Sequence, residues 1–98
     1  MLTALRPLQS LNDLREYVSE ILSEHNGLEV GAFPISERIL VRRGKPCGIY
    51  FCLHGPRAVK FSAIWETQQN SVLFYGSGGE RIGRTQLVEA PQLELAAA

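Results

Sequence analysis

The chain has 98 residues, of which 45% are hydrophobic and 20% are charged, and its formal net charge is zero. This length suits one domain with one core, and the composition is that of a globular protein rather than a disordered or disulfide-rich chain. No apolar stretch reaches the ~18–20 residues that span a bilayer, and the N-terminal segment lacks the charged and apolar regions of a signal peptide. We therefore expect a single cytoplasmic domain over residues 1–98 that does not contact a membrane.

The charges are unevenly distributed along the chain. Residues 1–30 carry five acidic and two basic side chains, a net charge of −3, whereas residues 31–85 carry eight basic and three acidic ones, a net charge of +5. In one interpretation, an acidic helix neutralises a basic sheet within the molecule. In the other, the basic part of the chain binds an anionic partner such as a nucleic acid.

The clearest predicted element is an amphipathic helix over about residues 11–25. Ser10 is a suitable N-cap, Asp13 lies where an acid favours the helix dipole, and Gly27 supplies the left-handed residue that ends a helix. One apolar face follows from the helical spacing of Leu11, Leu14, Val18, Ile21 and Leu22.

After this helix the pattern changes to short segments rich in β-branched and aromatic residues. Residues 28–37 contain Gly31 and Pro34, so we expect an extended connector there. The predicted strands cover residues 38–43, 47–54, 58–66, 71–76 and 81–88, with turns at 44–46, 55–57, 67–70 and 77–80. Because these turns are too short for crossover helices, the strands are expected to form an antiparallel meander.

The predicted fold class is therefore α+β, with the N-terminal amphipathic helix packed on a four- to five-stranded antiparallel β-meander. Residues 89–98 follow the last predicted strand and are rich in alanine. We expect them to form a frayed tail or a short docking arm.

Alternation along strands 47–54 and 58–66 assigns their side chains to two faces of the sheet. Pairing the apolar faces places Phe51 opposite Phe61 across a three-residue loop, and it places Cys52 opposite Lys60. That apolar face is predicted to pack on the helix. The second face is the candidate interaction face, and its residues are Tyr50, Cys52, His54, Lys60, Ser62 and Ile64.

The two cysteines are not expected to form a chemical site. Cys47 and Cys52 lie about 16 Å apart on one strand, at ~3.3 Å per residue, and point to opposite faces, which excludes a disulfide and a shared metal ion. A Cys52 thiol activated by Lys60 and His54 is the catalytic alternative, but no orienting carboxylate accompanies it. We therefore expect no enzyme activity, no cofactor and no metal.

A glycine-rich segment, "GSGGERIG" at residues 76–83, lacks the lysine of a phosphate-binding loop and leads into a strand. We interpret it as a hairpin turn. In a meander this turn lies at the same end of the sheet as the 55–57 turn. Arg57 and Arg81, beside His54, are therefore candidate contacts for a small anion, and solvated loop tips are the alternative interpretation.

The run "GKPCGIYFCLHGPRAVKFSAIWETQQNSVLFYGSGGER" resembles a stretch shared by short uncharacterised bacterial proteins of planctomycete type. The resemblance covers about residues 14–87. It implies a bacterial origin and a small cytoplasmic domain, and it carries no active site, cofactor or partner with it.

Two functions follow from these observations. The first is a non-enzymatic interaction module that binds a protein or forms a homodimer, through the candidate interaction face or an exposed sheet edge. The alternative is a small nucleic-acid- or anion-binding domain, in which Tyr50 stacks on a base beside Lys60 and Arg57. An enzyme would need paired carboxylates, or a nucleophile with a base and an orienting group, and the sequence shows neither pattern.

Overall fold

The computed structural model of the chain describes residues 2–6, 8, 10–88 and 91. Within these residues one helix, α1 (Leu11–His25), packs on a six-stranded sheet. The strands are β1 (Leu2–Arg6), β2 (Ile35–Arg42), β3 (Lys45–His54), β4 (Lys60–Glu66), β5 (Ser71–Tyr75) and β6 (Arg81–Leu87), with a 3-10 turn at Pro56–Ala58 between β3 and β4. Their order across the sheet is β1-β6-β5-β4-β3-β2.

The predicted α+β fold is confirmed, because strands β2 to β6 form an antiparallel meander and α1 packs on one side of it. The sequence analysis missed β1, which pairs in parallel with β6, from Leu2 opposite Gly83 to Arg6 opposite Leu87. A parallel pair needs a long connection, and here nearly the whole chain separates the two strands. No local sequence pattern signals such a pairing.

Helix α1 begins and ends at the predicted residues. The Ser10 hydroxyl oxygen accepts a hydrogen bond from the Asp13 amide at 3.0 Å, which is the expected N-cap. At the other end Gly27 has a φ of 69°, and the Leu28 amide donates to the Ser23 carbonyl at 2.8 Å. This is the Schellman arrangement, and Leu28 packs against the core as it folds back on the last turn.

The core lies between α1 and one side of the sheet. Tyr17 links the two layers, since its hydroxyl lies 2.7 Å from the Thr85 hydroxyl and its ring meets Phe74 edge-on, with centroids 6.2 Å apart. Burial of each large apolar side chain contributes about 1.5–3 kcal/mol. The buried apolar cluster consists of Leu14, Tyr17, Val18, Leu22, Ile49, Phe51, Leu53, Ala63, Trp65, Val72, Phe74 and Leu87.

Strand β2 is longer than predicted, and the turn that follows it is shorter. The strand already begins at Ile35, so the last three residues of the predicted 28–37 connector belong to the sheet. The turn to β3 contains only Arg43 and Gly44, with φ values of 53° and 76°, rather than residues 44–46. In a two-residue hairpin, two consecutive left-handed residues form a turn that matches the twist of the strands. Lys45 therefore already belongs to β3 and pairs with Arg42.

The loop between β3 and β4 shifts their register relative to the prediction. It covers residues 55–59 rather than 55–57, and both Arg57 and Ala58 adopt left-handed conformations, with φ of 59° and 62°. As a result Phe51 lies opposite Ala63, not opposite Phe61. Because side chains alternate with a period of two, this two-residue shift leaves every side chain on its predicted face.

The predicted frayed tail, residues 89–98, lies outside the described residues except for Pro91, which is buried. Within the part of the chain that is described, no helix is long and apolar enough to cross a membrane.

Candidate interaction face

The sheet has a second side on which no described element packs. Helix α1 lies on the core side, as do Leu28 and Phe33 of the segment that follows it. The other side, which we call the open face, carries alternate residues of β2 to β6. Its residues are Ser36, Arg38, Leu40, Gly48, Tyr50, Cys52, His54, Lys60, Ser62, Ile64, Glu66, Ser71, Leu73, Tyr75, Arg81, Arg84 and Gln86.

The sequence-predicted interaction residues all lie on the open face, because alternation along β3 and β4 assigns them there. The structure brings them together as three directly opposed pairs. These pairs are Tyr50 with Ile64, Cys52 with Ser62, and His54 with Lys60.

A central row of the open face crosses five strands at one level of the sheet. Tyr50, Ile64 and Leu73 are half-buried, whereas Arg38 at the β2 end is exposed. At ~4.8 Å per strand, the row measures about 19 Å between its terminal Cα atoms. It therefore has an apolar centre and a guanidinium at each end. In order it contains Arg38, Tyr50, Ile64, Leu73 and Arg84.

A second row lies beside the central row, toward the end of the sheet that carries the 55–59 loop. Its aromatic member, Tyr75, is half-buried and lies two strands and one row away from Tyr50, at a distance of about 12 Å between Cα atoms by the spacings of a sheet. The open face therefore presents two tyrosines rather than the single one considered from the sequence. In order the row contains Ser36, Cys52, Ser62, Tyr75 and Arg81.

Gln86 holds the Arg84 end of the central row in place. Its side-chain amide donates to the carbonyls of Gln69 and Asn70 at 2.8 and 3.1 Å, which fixes it against the β4–β5 turn. Its Oε1 atom then accepts a hydrogen bond from the Arg84 guanidinium at 2.6 Å. The position of the Arg84 guanidinium is therefore fixed by Gln86.

The helix side of the molecule carries the opposite charge. Its one described salt bridge joins Arg15 of α1 to Glu37 of β2, with the guanidinium Nε 2.8 Å from the carboxylate. In this salt bridge the basic residue belongs to the helix and the acidic residue to the sheet. Among the described residues, no acidic residue of α1 forms a salt bridge with a basic residue of the sheet. The exposed acids of α1 are Asp13, Glu16, Glu20 and Glu24.

The open face itself is basic, with a single acid among its charged residues. Glu66 is that acid, and its carboxylate accepts a hydrogen bond from the Gln69 amide at 2.7 Å, so it caps the adjacent turn. The two sides of the sheet therefore differ in sign, although the whole chain is neutral. The basic residues of the open face are Arg38, Lys60, Arg81 and Arg84.

Cys52 is not placed for the thiol chemistry considered from the sequence. The expectation that it lies opposite Lys60 is wrong, because the longer β3–β4 loop places Ser62 there and pairs Lys60 with His54. Cys52 is only 5% exposed, and both Cys52 and Cys47 are free thiols. Within the described residues no group of three or more His, Cys, Asp and Glu side chains could hold a metal ion.

Arg57 and Arg81, the predicted anion contacts, lie at the same end of the sheet, as the meander requires. Arg57 is in the β3–β4 loop and Arg81 begins β6, so parts of β4 and β5 stand between them. At ~4.8 Å per strand the backbone spacing of the two residues is about 10–14 Å. His54, the third predicted member, lies 2.9 Å from the Ser36 hydroxyl through its Nε2 atom.

The sequence analysis missed the β5 and β6 contributions to the open face. Leu73 and Tyr75 alternate with the buried residues Val72 and Phe74, and this period of two is visible in the sequence. Extending the two-face assignment beyond β4 would have found them. The alignment of Arg84 with the central row depends on the pairing register of the strands, and no local sequence pattern indicates that register.

Comparison of the chain with protein-family models, with curated protein sequences and with solved structures found no significant match. The resemblance to planctomycete-type proteins and the bacterial origin it implies therefore stay predictions.

Proposed function

We propose that the chain is a non-enzymatic interaction module whose open face binds an anionic macromolecule. The observation that carries this proposal is the separation of charge between the two sides of the sheet. Four basic residues and one acidic residue lie on the open face, while the acids of α1 are exposed on the other side. A surface with one dominant sign attracts and orients a partner of the opposite sign. Following the sequence resemblance, we place this binding in a bacterial cytoplasm.

The same charges argue against two open faces packing on each other. In a symmetric face-to-face dimer, the guanidinium groups at the ends of both central rows would approach basic groups of the partner. Like charges brought together across an interface oppose association. An anionic partner removes this repulsion and still covers the apolar centre formed by Ile64 and Leu73.

The proposal is tested by retention on immobilised heparin, a polyanion, during elution with a salt gradient. Arg38→Glu, on the open face, should elute at clearly lower salt than the unaltered chain. The matched control is Arg43→Glu at the β2–β3 hairpin tip, which changes the net charge equally and is also exposed. Equal loss of retention in both variants would show that general electrostatics, not the open face, causes the binding.

A second candidate function, homodimer formation through the outer edge of β2, is favoured by a separate observation. Ile39 and Val41 on this eight-residue edge strand are 40% and 58% exposed. A long edge strand with apolar side chains is a template for pairing with another strand. The test is the solution mass by light scattering at low and high salt. An apolar edge dimer should persist at both and be lost in Val41→Lys, whereas a monomer at both salts would exclude it.

A further inference from the structure

We infer that the anionic partner is a single-stranded nucleic acid that lies across the strands along the central row. This inference rests on the proposed function and specifies its partner. It depends on three features of the open face: its tyrosines, the length of its central row, and the position of the described helix on the opposite side of the sheet.

The first feature is the presence of aromatic rings among the cations. Tyr50 lies in the central row directly between Arg38 and Ile64, and Tyr75 lies in the adjacent row, between Ser62 and Arg81. Nucleobases stack on aromatic side chains, and Arg and Lys beside them contact the phosphates. An acidic protein surface would use the cations, whereas every base of a nucleic acid also offers a flat face to the two rings.

The second feature is the fit between the row and a nucleotide chain. Arg38 and Arg84 stand about 19 Å apart, which at a rise of ~3.4 Å per nucleotide corresponds to at most about five nucleotides. Arg81 is the last residue of the second row, and Lys60 lies one row beyond it on the same side of the sheet. A strand crossing from β2 to β6 would therefore meet basic groups at both ends and apolar or aromatic groups in between.

The third feature decides between single and double strands. Tyr50 and Tyr75 are half-buried and belong to strands of the sheet itself, and α1, the α-helix among the described residues, packs on the other side. Duplex recognition uses elements that insert into a groove to reach base edges. On the open face, the bases themselves must contact the tyrosine rings, and only unpaired bases can do so.

The test measures fluorescence anisotropy of a labelled oligothymidylate of about ten nucleotides, a length within the usual site sizes of such surfaces. Tyr50→Leu removes the ring and keeps an apolar side chain, whereas Tyr50→Phe keeps the ring and is the matched control. We expect Tyr50→Leu to weaken binding about 5- to 150-fold, as for loss of one stacked base, and Tyr50→Phe to bind like the unaltered chain. Tyr75→Leu provides a second, independent variant at the other ring.

Salt dependence adds a readout that a folding defect would not mimic. With three to four phosphates contacted, the logarithm of the association constant should fall against the logarithm of salt with a slope of about −2 to −3. Arg38→Glu should make that slope shallower by about 0.7, the value for one lost phosphate contact. Arg43→Glu should leave the slope unchanged. The fluorescence of Trp65, which is 1% exposed, verifies the fold of every variant.

Competition with polyaspartate and with a duplex of the same sequence separates the two proposals. If polyaspartate competes as well as the oligonucleotide and both Tyr→Leu variants bind normally, the nucleic-acid inference is overturned while the anionic open face stands. Duplex binding as tight as single-strand binding would also overturn it. If Arg38→Glu and Arg43→Glu bind polyaspartate with equal affinity and also bind the oligonucleotide with equal affinity, the proposed function fails together with the inference.

Discussion

Replacing Asn70 with alanine is expected to destabilise the fold by about 2–5 kcal/mol. Asn70 ends the β4–β5 turn with a left-handed φ of 50°. Its Oδ1 atom accepts a hydrogen bond from the buried Trp65 indole at 3.0 Å, and its carbonyl accepts one from the Leu87 amide at the same distance. One residue thus joins the core tryptophan, the turn and the last strand.

The magnitude follows from two separate losses. Removing the side-chain acceptor leaves the indole N–H of Trp65 buried without a partner, which costs about 1–3 kcal/mol. Placing an alanine Cβ in the left-handed region costs roughly 1–2 kcal/mol more, whereas asparagine tolerates that region through local hydrogen bonds. Since a domain of this kind has only about 5–15 kcal/mol of stability, the loss is a large fraction of the total.

The assay is urea unfolding followed by the fluorescence of Trp65, the single tryptophan of the chain. Two control variants separate the losses. Asn70→Asp keeps an oxygen acceptor for the indole, and Asn70→Gly relieves the backbone strain but supplies no acceptor. We expect the smallest destabilisation for Asp, more for Gly and the largest for Ala.

An Asn70→Ala variant within about 0.5 kcal/mol of the unaltered chain, the range of ordinary surface substitutions, would refute this reasoning. A Gly variant as stable as the unaltered chain would show that the hydrogen bond to Trp65 contributes nothing, whereas equal destabilisation by Gly and Ala would show that backbone strain contributes nothing.

Three further predictions concern packing, thiol access and capping. Gly48→Ala should lower the urea midpoint by the equivalent of at least ~1–3 kcal/mol, since the new Cβ would overlap the Trp65 carbonyl oxygen; an unchanged midpoint would contradict this close approach. A thiol reagent should label half-buried Cys47 quickly and buried Cys52 only on unfolding, and equal rates would contradict that burial. Ser10→Ala should cost about 1 kcal/mol in thermal unfolding, Ser10→Asp being the control that keeps a cap.

Much of the local structure of this protein follows from short-range patterns. Helix α1 occupies its predicted range because apolar spacing, a Ser10 cap and Gly27 all act within a few residues of each other. The assignment of β3 and β4 side chains to two faces is correct for the same reason, since alternation is a property of the strand itself. That assignment was sufficient to locate part of the open face.

The tertiary structure alone decided which residues stand opposite one another. Pairing of β1 with β6 joins residues from the two ends of the described chain, and no local signal precedes it. The β3–β4 register depends on the left-handed conformations of Arg57 and Ala58, which lengthen the loop although neither residue type favours them.

The charge layout shows the same division between sequence and structure. The sequence by itself determined that acids precede bases along the chain, but either internal neutralisation or a basic surface was compatible with that order. The fold decided where those charges lie, because α1 exposes its acids on one side while pairing register aligns Arg38 and Arg84 on the other. Strand alternation is local, whereas the alignment of five strands into one row exists only when the whole sheet has formed.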